Sequence, residues 1–376
     1  MNVIDTIEDK CYIKQWDIGL CKGNIEELLK EGLKNNEFRW IHPSSKTQVY
    51  ADPFILPFEE EKIKIVFEHL DLRDGCGNIS LATTDKDYNN VQIKTLLHTG
   101  KHLSYPFVFV NNEITYIIPE SSSQHTVEAY PFNQNRNTPA KIKKLISGEK
   151  LLDSTILYYN HKYWLFATKS GKHSNSDLYI YYANQLEGPY EGHHLNPVKK
   201  SLNGSRPAGN FISYNGEWFR PSQNNKSYYG QSVTIHRIIV LNELEFLEEP
   251  IVEIKPPGQS KDWHGIHTIN LHGDTIVIDR LRRIFSPIDS IKIFVGKMAH
   301  VLKSLIPNES ICTISLQKQL DYFKKNKLHQ SIIRTPQSTI TRFIQSTLFD
   351  HFPKSLSKIS FLQKIISRTW HRNDID

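Results

Sequence analysis

Tyr50-Ala51-Asp52-Pro53-Phe54-Ile55 is an apolar strand with an acid at its mouth, and the chain writes relatives of it four more times. Ser104-Tyr105-Pro106-Phe107 leads to Pro119-Glu120, Asp153-Ser154-Thr155 to Phe166, Arg206-Pro207-Ala208-Gly209 to Arg220-Pro221, and His264-Gly265-Ile266-His267-Thr268 to Asp279. In each copy an alternating apolar run is followed by a short polar turn and a second apolar run, the mark of antiparallel strands. Starting points near 51, 104, 152, 205 and 264 give a period of about 50 residues, which suits a propeller blade and not a helical repeat. The turns fall at Asn111-Asn112, Asn160-His161, Asn215-Gly216 and His272-Gly273, chemistry that favours tight hairpins. The expectation is an all-β, five-bladed β-propeller; a two-sheet sandwich would not repeat its own pattern five times.

Outward from the repeats, residues 1–50 read as a lead-in. Tyr12 to Leu20 alternates as a strand, and Asn24 caps a short helix beginning at Ile25,. By repeat logic this early strand completes the last sheet and closes the ring, giving a propeller over residues 1–285. After Arg280-Leu281-Arg282-Arg283 the pattern changes to helical spacing: Ile291, Phe294, Val295, Met298, Val301, Leu302 and Leu305 share one face,. Further helical pieces are expected at 315–328, 337–350 and 355–370. The formal net charge is +6, yet residues 290–376 alone carry fourteen Lys/Arg against five Asp/Glu, which leaves the rest of the chain at −3. Residues 286–376 are therefore a basic α-helical C-terminal tail. It reads as a cap on the propeller or as a segment docking on an acidic membrane surface. Nucleic acid is not expected, because no basic groove with interleaved aromatics is evident.

The 376 residues can bury a sizeable core, and 39% hydrophobic content is that of a water-soluble chain,. No basic region followed by an apolar run stands at the start and no stretch approaches the ~20 apolar residues of a membrane span. The expected location is the cytoplasm, with a peripheral position at the inner membrane face if the tail docks. Cys11, Cys21, Cys76 and Cys312 are scattered, without CxxC spacing, and read as free thiols. His193-His194 would point to opposite faces of a strand and make a poor chelate. Neither a metal motif nor a cofactor motif is recognisable.

A propeller brings the first residues of its blades to one end of the central channel. Asp52, Ser104 or Tyr105, Asp153, Arg206 and His267 should therefore meet, with Glu120, Arg220 and Asp279 at corresponding places two strands later. Paired carboxylates are what glycosidic chemistry uses, one on an incoming hydroxyl and one on the leaving oxygen. Aspartate is also a common turn former, so capping of turns is the competing reading of Asp52 and Asp153. Arg206 either neutralises those acids or binds an anion such as a phosphate or a uronic acid. Gln223, Arg220 and Tyr229 could line the same mouth, offering planar donors and a stacking face for a sugar.

The series Trp16-Asp17-Ile18-Gly19, Ala51-Asp52-Pro53-Phe54, Phe67-Glu68, Gly77-Asn78-Ile79, His102-Leu103-Ser104-Tyr105-Pro106-Phe107-Val108, Ile118-Pro119-Glu120-Ser121, Leu152-Asp153, Arg206-Pro207-Ala208-Gly209 and His267-Thr268 resembles a known domain. It is the propeller at the N-terminus of plant glucosamine inositolphosphorylceramide transferases, which also occurs in bacterial proteins of surface-polysaccharide synthesis. The resemblance covers roughly residues 12–280, and that domain in turn resembles family-43 glycoside hydrolases. It implies Asp52 as a base and Asp153 as an aspartate that tunes its neighbours. The hydrolases' acid in the fourth repeat is replaced by Arg206-Pro207, which leaves Glu120 as the substitute. A phosphate leaving group would need no acid, so the reading favours a glycosyltransferase-like enzyme of surface polysaccharide or glycolipid biosynthesis. A nucleotide-sugar donor would be held by Arg206 and Arg220, and His102, Tyr105, Gln223, Tyr229 and His267 would help to bind the substrates, among them a glycan or glycolipid acceptor. A family-43-like glycoside hydrolase and a non-catalytic glycan-binding module are the alternatives.

Overall fold

The computed structural model describes residues 11–305 other than 34–35, 58–61, 134–137, 140–142 and 257–262. Tyr12–Lys297 form one compact unit. It consists of five antiparallel sheets, each a blade, whose strands are hydrogen-bonded nearly in sequence order. Blade 1 runs Gln48–Ile55, Ile63–Asp71, Asn78–Thr84 and Gln92–Leu97. Blade 2 runs Ser104–Asn111, Ile114–Glu120 and Thr126–Asn133, with Thr138–Pro139 and Lys143–Ser147 on its outer edge. Blade 3 is built likewise from Leu151–Tyr159, Lys162–Lys169 and Asp177–Ala183, with two-residue strands Glu191–Gly192 and Lys199–Lys200 outside. In blade 4, Asn203–Pro207 and Ile212–Tyr214 both pair with Glu217–Asn224, followed by Ser232–Leu241 and Phe246–Ile254.

Blade 5 is assembled from both parts of the chain. Its inner strands Ile269–His272 and Thr275–Phe285 come late, and its third is the early strand Tyr12–Lys22, which pairs with Thr275–Phe285 along its whole length from Tyr12↔Phe285 to Lys22↔Thr275. Arg39–Ile41 forms the outer edge. The expected closure of the ring by the lead-in is thus present. The short helix is Ile25–Glu31, with Asn24 Oδ1 accepting the Glu27 N–H at 2.9 Å. The first C-terminal helix spans Pro287–Leu305, where apolar residues recur at helical spacing. The pieces expected at 315–328, 337–350 and 355–370 lie outside the described residues. Among the described residues no helix is long and apolar enough to cross a membrane.

The blades are joined by apolar cores in the gaps between neighbours. Phe54, Val66 and Leu81 of blade 1 pack with Phe107 and Ile118 of blade 2, and these with Ile156 and Leu165 of blade 3. Trp164 and Phe166 meet Leu241 between blades 3 and 4; Val233 and Ile254 meet Ile269 and Ile278 between blades 4 and 5. Ile18 and Leu20 of the closing strand, both fully buried, pack on Ile65 and Phe67 of blade 1. Such side chains are worth about 1.5–3 kcal/mol each on burial, so that pair alone supplies a sizeable part of a total stability of about 5–15 kcal/mol. Deleting residues 1–22 should abolish cooperative thermal unfolding followed by circular dichroism, and a synthetic peptide of residues 11–22 added in excess should restore it.

Candidate functional site

Three inner strands share one local device. In blade 1 the pairing steps from Ala51↔Glu68 to Phe54↔Val66, so Asp52 and Pro53 stand opposite one residue. Blade 2 repeats this between Ser104↔Glu120 and Phe107↔Ile118, and blade 3 between Leu152↔Thr168 and Thr155↔Phe166. Each is a β-bulge, and its first residue is left-handed: Asp52 at φ 50°, Tyr105 at φ 39° and Asp153 at φ 52°. Glycine is the usual occupant of that place. An aspartate tolerates it and a tyrosine scarcely does, at about 1–3 kcal/mol each. The bend swings these three side chains out of the alternating pattern and into the centre. Of the two candidates at the mouth of blade 2, Tyr105 is therefore the counterpart of Asp52 and Asp153.

The central side chains form a hydrogen-bonded circuit that visits every blade. Asp279 of blade 5 accepts the N–H groups of His267 at 2.9 Å, of Thr268 at 3.0 Å and of Asp52 at 3.1 Å. Asp52 in turn accepts the Thr268 hydroxyl at 2.7 Å and, across to blade 2, the Tyr105 N–H at 3.2 Å. The Tyr105 hydroxyl shares a hydrogen bond with Thr155 of blade 3 at 2.9 Å and accepts the Gly209 N–H of blade 4 at 2.8 Å. Asp153 receives Arg206 Nε at 2.6 Å and Gln223 Nε2 at 3.2 Å, both from blade 4. Asn270 closes the circuit, accepting the Asn210 N–H at 2.7 Å and donating to the Pro53 carbonyl at 2.7 Å. Gly209 is required here, since a Cβ on it would sit 1.9 Å from the Ile269 carbonyl oxygen.

Around this circuit lie five carboxyl groups, Asp52, Glu68, Glu120, Asp153 and Asp279, none more than 8% exposed. Glu120 is held by Ser104 Oγ at 3.1 Å and by the N–H and hydroxyl of Ser122 at 3.2 and 2.5 Å. Glu68 has no hydrogen bond among the described residues; its nearest charged-type partner is His102 Nε2 at 3.7 Å. Burial lifts the Glu68 carboxyl well above its ordinary range, and the carboxylates of Asp52, Glu120, Asp153 and Asp279 push it further,. Asp52 is also raised, by burial first and by Asp279, but His267, the Thr268 hydroxyl and Arg206 oppose the rise. Asp153 is lifted to about 6 by burial, against the pull of Arg206. Burial lowers the His267 pKa, but Asp279 and Asp52 outweigh it, and the net shift is upward.

His267 lies between two acids, with Nε2 3.4 Å from Asp52 Oδ1 and Nδ1 2.6 Å from Asp279 Oδ2, the latter an ion-pair contact off the line of a good hydrogen bond. Asp52, His267 and Asp279 present ligand atoms within 4.8 Å of one another, a set that their separation in sequence conceals. Both ring nitrogens face the two carboxyls, which favour the protonated imidazole. The His267 ring stacks on Trp16 of the closing strand at 4.0 Å between centroids, and Tyr229 approaches it edge-on at 5.4 Å.

The placement corrects two expectations. Arg206 is not free to hold a phosphate: it grips Asp153 through Nε and Nη2, donates Nη1 to Asn175 at 3.0 Å and lies 5.3 Å from the Tyr229 ring. It comes to the centre through a wider bulge, Gly204-Ser205-Arg206 between Asn203↔Asn224 and Pro207↔Ser222. Arg220 is not part of the site. It is 1% exposed, donates to Glu248 through Nε at 2.8 Å and Nη2 at 2.6 Å, and binds the Gly204 carbonyl. Its strand alternation aims it into the blade, toward the outer strand Phe246–Ile254, where the half-buried Lys199 also bonds Glu248 and contacts His236. Asp52, Glu120, Asp153, Tyr105, Gln223, Tyr229 and His267 are brought together, and His102 stands at their edge beside Glu68. Glu68 and Trp16 stand in the motif series of the sequence but are not among the site residues expected from it.

Residues 41–280 match the family described as glucosamine inositolphosphorylceramide transferase 1, N-terminal. The chain belongs to this family. It is 29% identical over 228 residues to glucosamine inositolphosphorylceramide transferase 1 of Oryza sativa subsp. japonica, an alignment covering 57% of the chain and 30% of that relative. Against the protein of the same name in Arabidopsis thaliana the identity is 30%, over 57% of the chain and 29% of the relative. The chain thus spans about a third of the length of these curated relatives. Among solved structures it is similar to a thermostable family-43 glycoside hydrolase, with a TM-score of 0.47 and 12% identity over 66% of the chain and 88% of that protein. A family-43 β-1,3-galactosidase with galactodeoxynojirimycin gives a TM-score of 0.46 and 10% identity over 57% and 82%. The family match begins at residue 41 and leaves out the closing strand, so Trp16 reaches the site from beyond it.

A carboxyl group raised on folding is stabilising while protonated and loses that contribution as pH rises from its unfolded value through its folded one. Glu68, Asp52 and Asp153 all act in this direction, and His267, raised as a cation, acts the same way. The thermal midpoint should therefore fall between pH 5 and pH 8.5, and Glu68→Gln should flatten that slope and raise the midpoint at the alkaline end.

Proposed function

We propose that the propeller is the sugar-handling part of a protein that builds or remodels a glycolipid or cell-surface polysaccharide, and that its pocket performs acid–base chemistry at a glycosidic bond. Membership of a family named for a glycolipid transferase supports the substrate class. The observation that carries the chemistry is the contrast between two carboxyl groups of one pocket. The largest influences on Glu68, burial and then four carboxyl neighbours, all disfavour its charge, whereas Asp52 has His267, the Thr268 hydroxyl and the Arg206 guanidinium favouring its own. Two carboxyls driven apart in this way are the pattern of an acid and a base.

In this reading Glu68 gives its proton to the leaving oxygen as the glycosidic C–O bond breaks, and Asp52 takes the proton of the incoming hydroxyl as the new C–O bond forms. Asp52 Oδ2 accepts a single N–H in the structure and keeps a lone pair for that task. Asp153 holds Arg206 and Gln223 in place, and the half-buried Tyr229, backed edge-on by Trp16, offers a face for a sugar ring. An acceptor hydroxyl makes the reaction a transfer and water makes it a hydrolysis; the family favours transfer. With Arg206 and Arg220 both spent on carboxylates, neither is left to hold a nucleotide donor's phosphates, which favours a leaving oxygen that Glu68 protonates.

The test is turnover of a panel of aryl glycosides, with and without inositolphosphorylceramide as acceptor, read by mass spectrometry. Asp52→Asn and Glu68→Gln should each cost about 10²-fold or more while glycan binding by calorimetry persists. Binding with no turnover of any donor, or turnover unchanged in both variants, would overturn the assignment.

A further inference from the structure

Glu68 stands apart from the other central acids in having no fixed partner, and the residues beside it are arranged with unusual closeness. The Gly77 N–H donates to His102 Nδ1 at 2.9 Å, and the Leu103 N–H donates back to the Gly77 carbonyl at 3.0 Å. This two-bond clasp fixes segment 102–103 against the turn before the third strand of blade 1. A Cβ on Gly77 would lie 2.6 Å from the Leu103 carbonyl oxygen, 2.8 Å from Glu68 Oε1 and 2.9 Å from His102 Cε1. Only glycine lets these three groups approach. Because Nδ1 accepts a backbone N–H, the neutral ring must carry its hydrogen on Nε2. That nitrogen is the one 3.7 Å from Glu68 Oε1, while the ring keeps 36% of its side-chain surface exposed.

We infer that Gly77 and His102 form a positioning unit for Glu68, in which the Gly77 amide locks His102 as the Nε2–H tautomer and that hydrogen supports the Glu68 carboxylate once its proton has been given. This rests on the assignment of Glu68 as the acid and assigns His102 a part other than sugar binding. After burial, the groups that act most strongly on Glu68, namely Asp52, Glu120, Asp153 and Asp279, are all carboxyls that oppose its ionisation. His102 is its one ion-pair partner within 4 Å among the described residues, and the 3.7 Å separation closes to a hydrogen bond by a small ring rotation, as contacts of this kind do when substrate binds,. The proton moves from Glu68 to the leaving oxygen; His102 keeps its own hydrogen throughout and acts as a donor only.

Two measurements decide it. Nitrogen-15 NMR of the whole chain should find the His102 hydrogen on Nε2 when the ring is neutral, and Glu68→Gln should shift the His102 ring signals. This readout needs no turnover and survives failure of the catalytic reading. In turnover, His102→Ala should lower kcat by about 10- to 100-fold, the worth of a hydrogen bond to a charged group, with KM little changed. The same change made in Glu68→Gln should add almost nothing. Gly77→Ala should reproduce the loss in kcat by displacing the ring. A hydrogen on Nδ1, His102 signals blind to Glu68→Gln, or an effect on KM alone would overturn the inference.

Discussion

The Asp52 carboxylate is bonded to blade 5 through Thr268 and to blade 2 through the Tyr105 amide, while its own amide is bonded to Asp279. A buried anion without such partners would cost several kcal/mol. The ring therefore cannot close comfortably unless these groups meet, and these groups cannot stay charged in the interior unless the ring closes. The same atoms that dock the blades to one another build the pocket. Apolar packing between blades supplies the bulk of the stability, but it is nondirectional; the polar circuit fixes how far each inner strand reaches and which side chain faces the centre.

The left-handed residues show what the arrangement costs. Glycine at the head of each bulge would relieve the backbone, yet the chain has Asp52, Tyr105 and Asp153 there. Strain of this kind persists where the surrounding structure over-determines it, as the interlocking side chains of several blades do here. Tyr105 is the clearest instance. It is the bulkiest of the three and the least suited to that conformation, and its hydroxyl ties blade 2 to blades 3 and 4. Glu68 has the opposite character: it occupies the strand position that Glu120 holds in blade 2, opposite the residue before the bulge, but no serine fixes it.

The repeat spacing was enough to reveal the five blades, because alternation and turn chemistry are local and each blade states them again. The convergence of Asp52, Tyr105, Asp153, Arg206 and His267 was legible for the same reason, since equivalent positions in a ring must meet. Arg220 was misread because its strand position was counted from the start of the repeat, while its side chain follows the alternation inward to Glu248. Glu68 could have been found by aligning the repeats one strand further: it follows Asp52 by nearly the interval at which Glu120 follows Tyr105. Trp16 opens the motif series, but its nearness to His267 was hidden, because it depends on a strand from the start of the chain crossing to the last blade. Charge state was also out of reach, being set by burial and by groups far apart in sequence.

Burial first, and then its carboxyl neighbours, should keep Glu68 protonated in neutral solution. Infrared difference spectroscopy of the intact chain, titrated across neutral pH and compared with Glu68→Gln, measures it directly. A carboxylic-acid carbonyl band should persist at pH 7 and vanish in the variant. Absence of that band in the unaltered chain, or its survival in Glu68→Gln, would contradict a protonated Glu68.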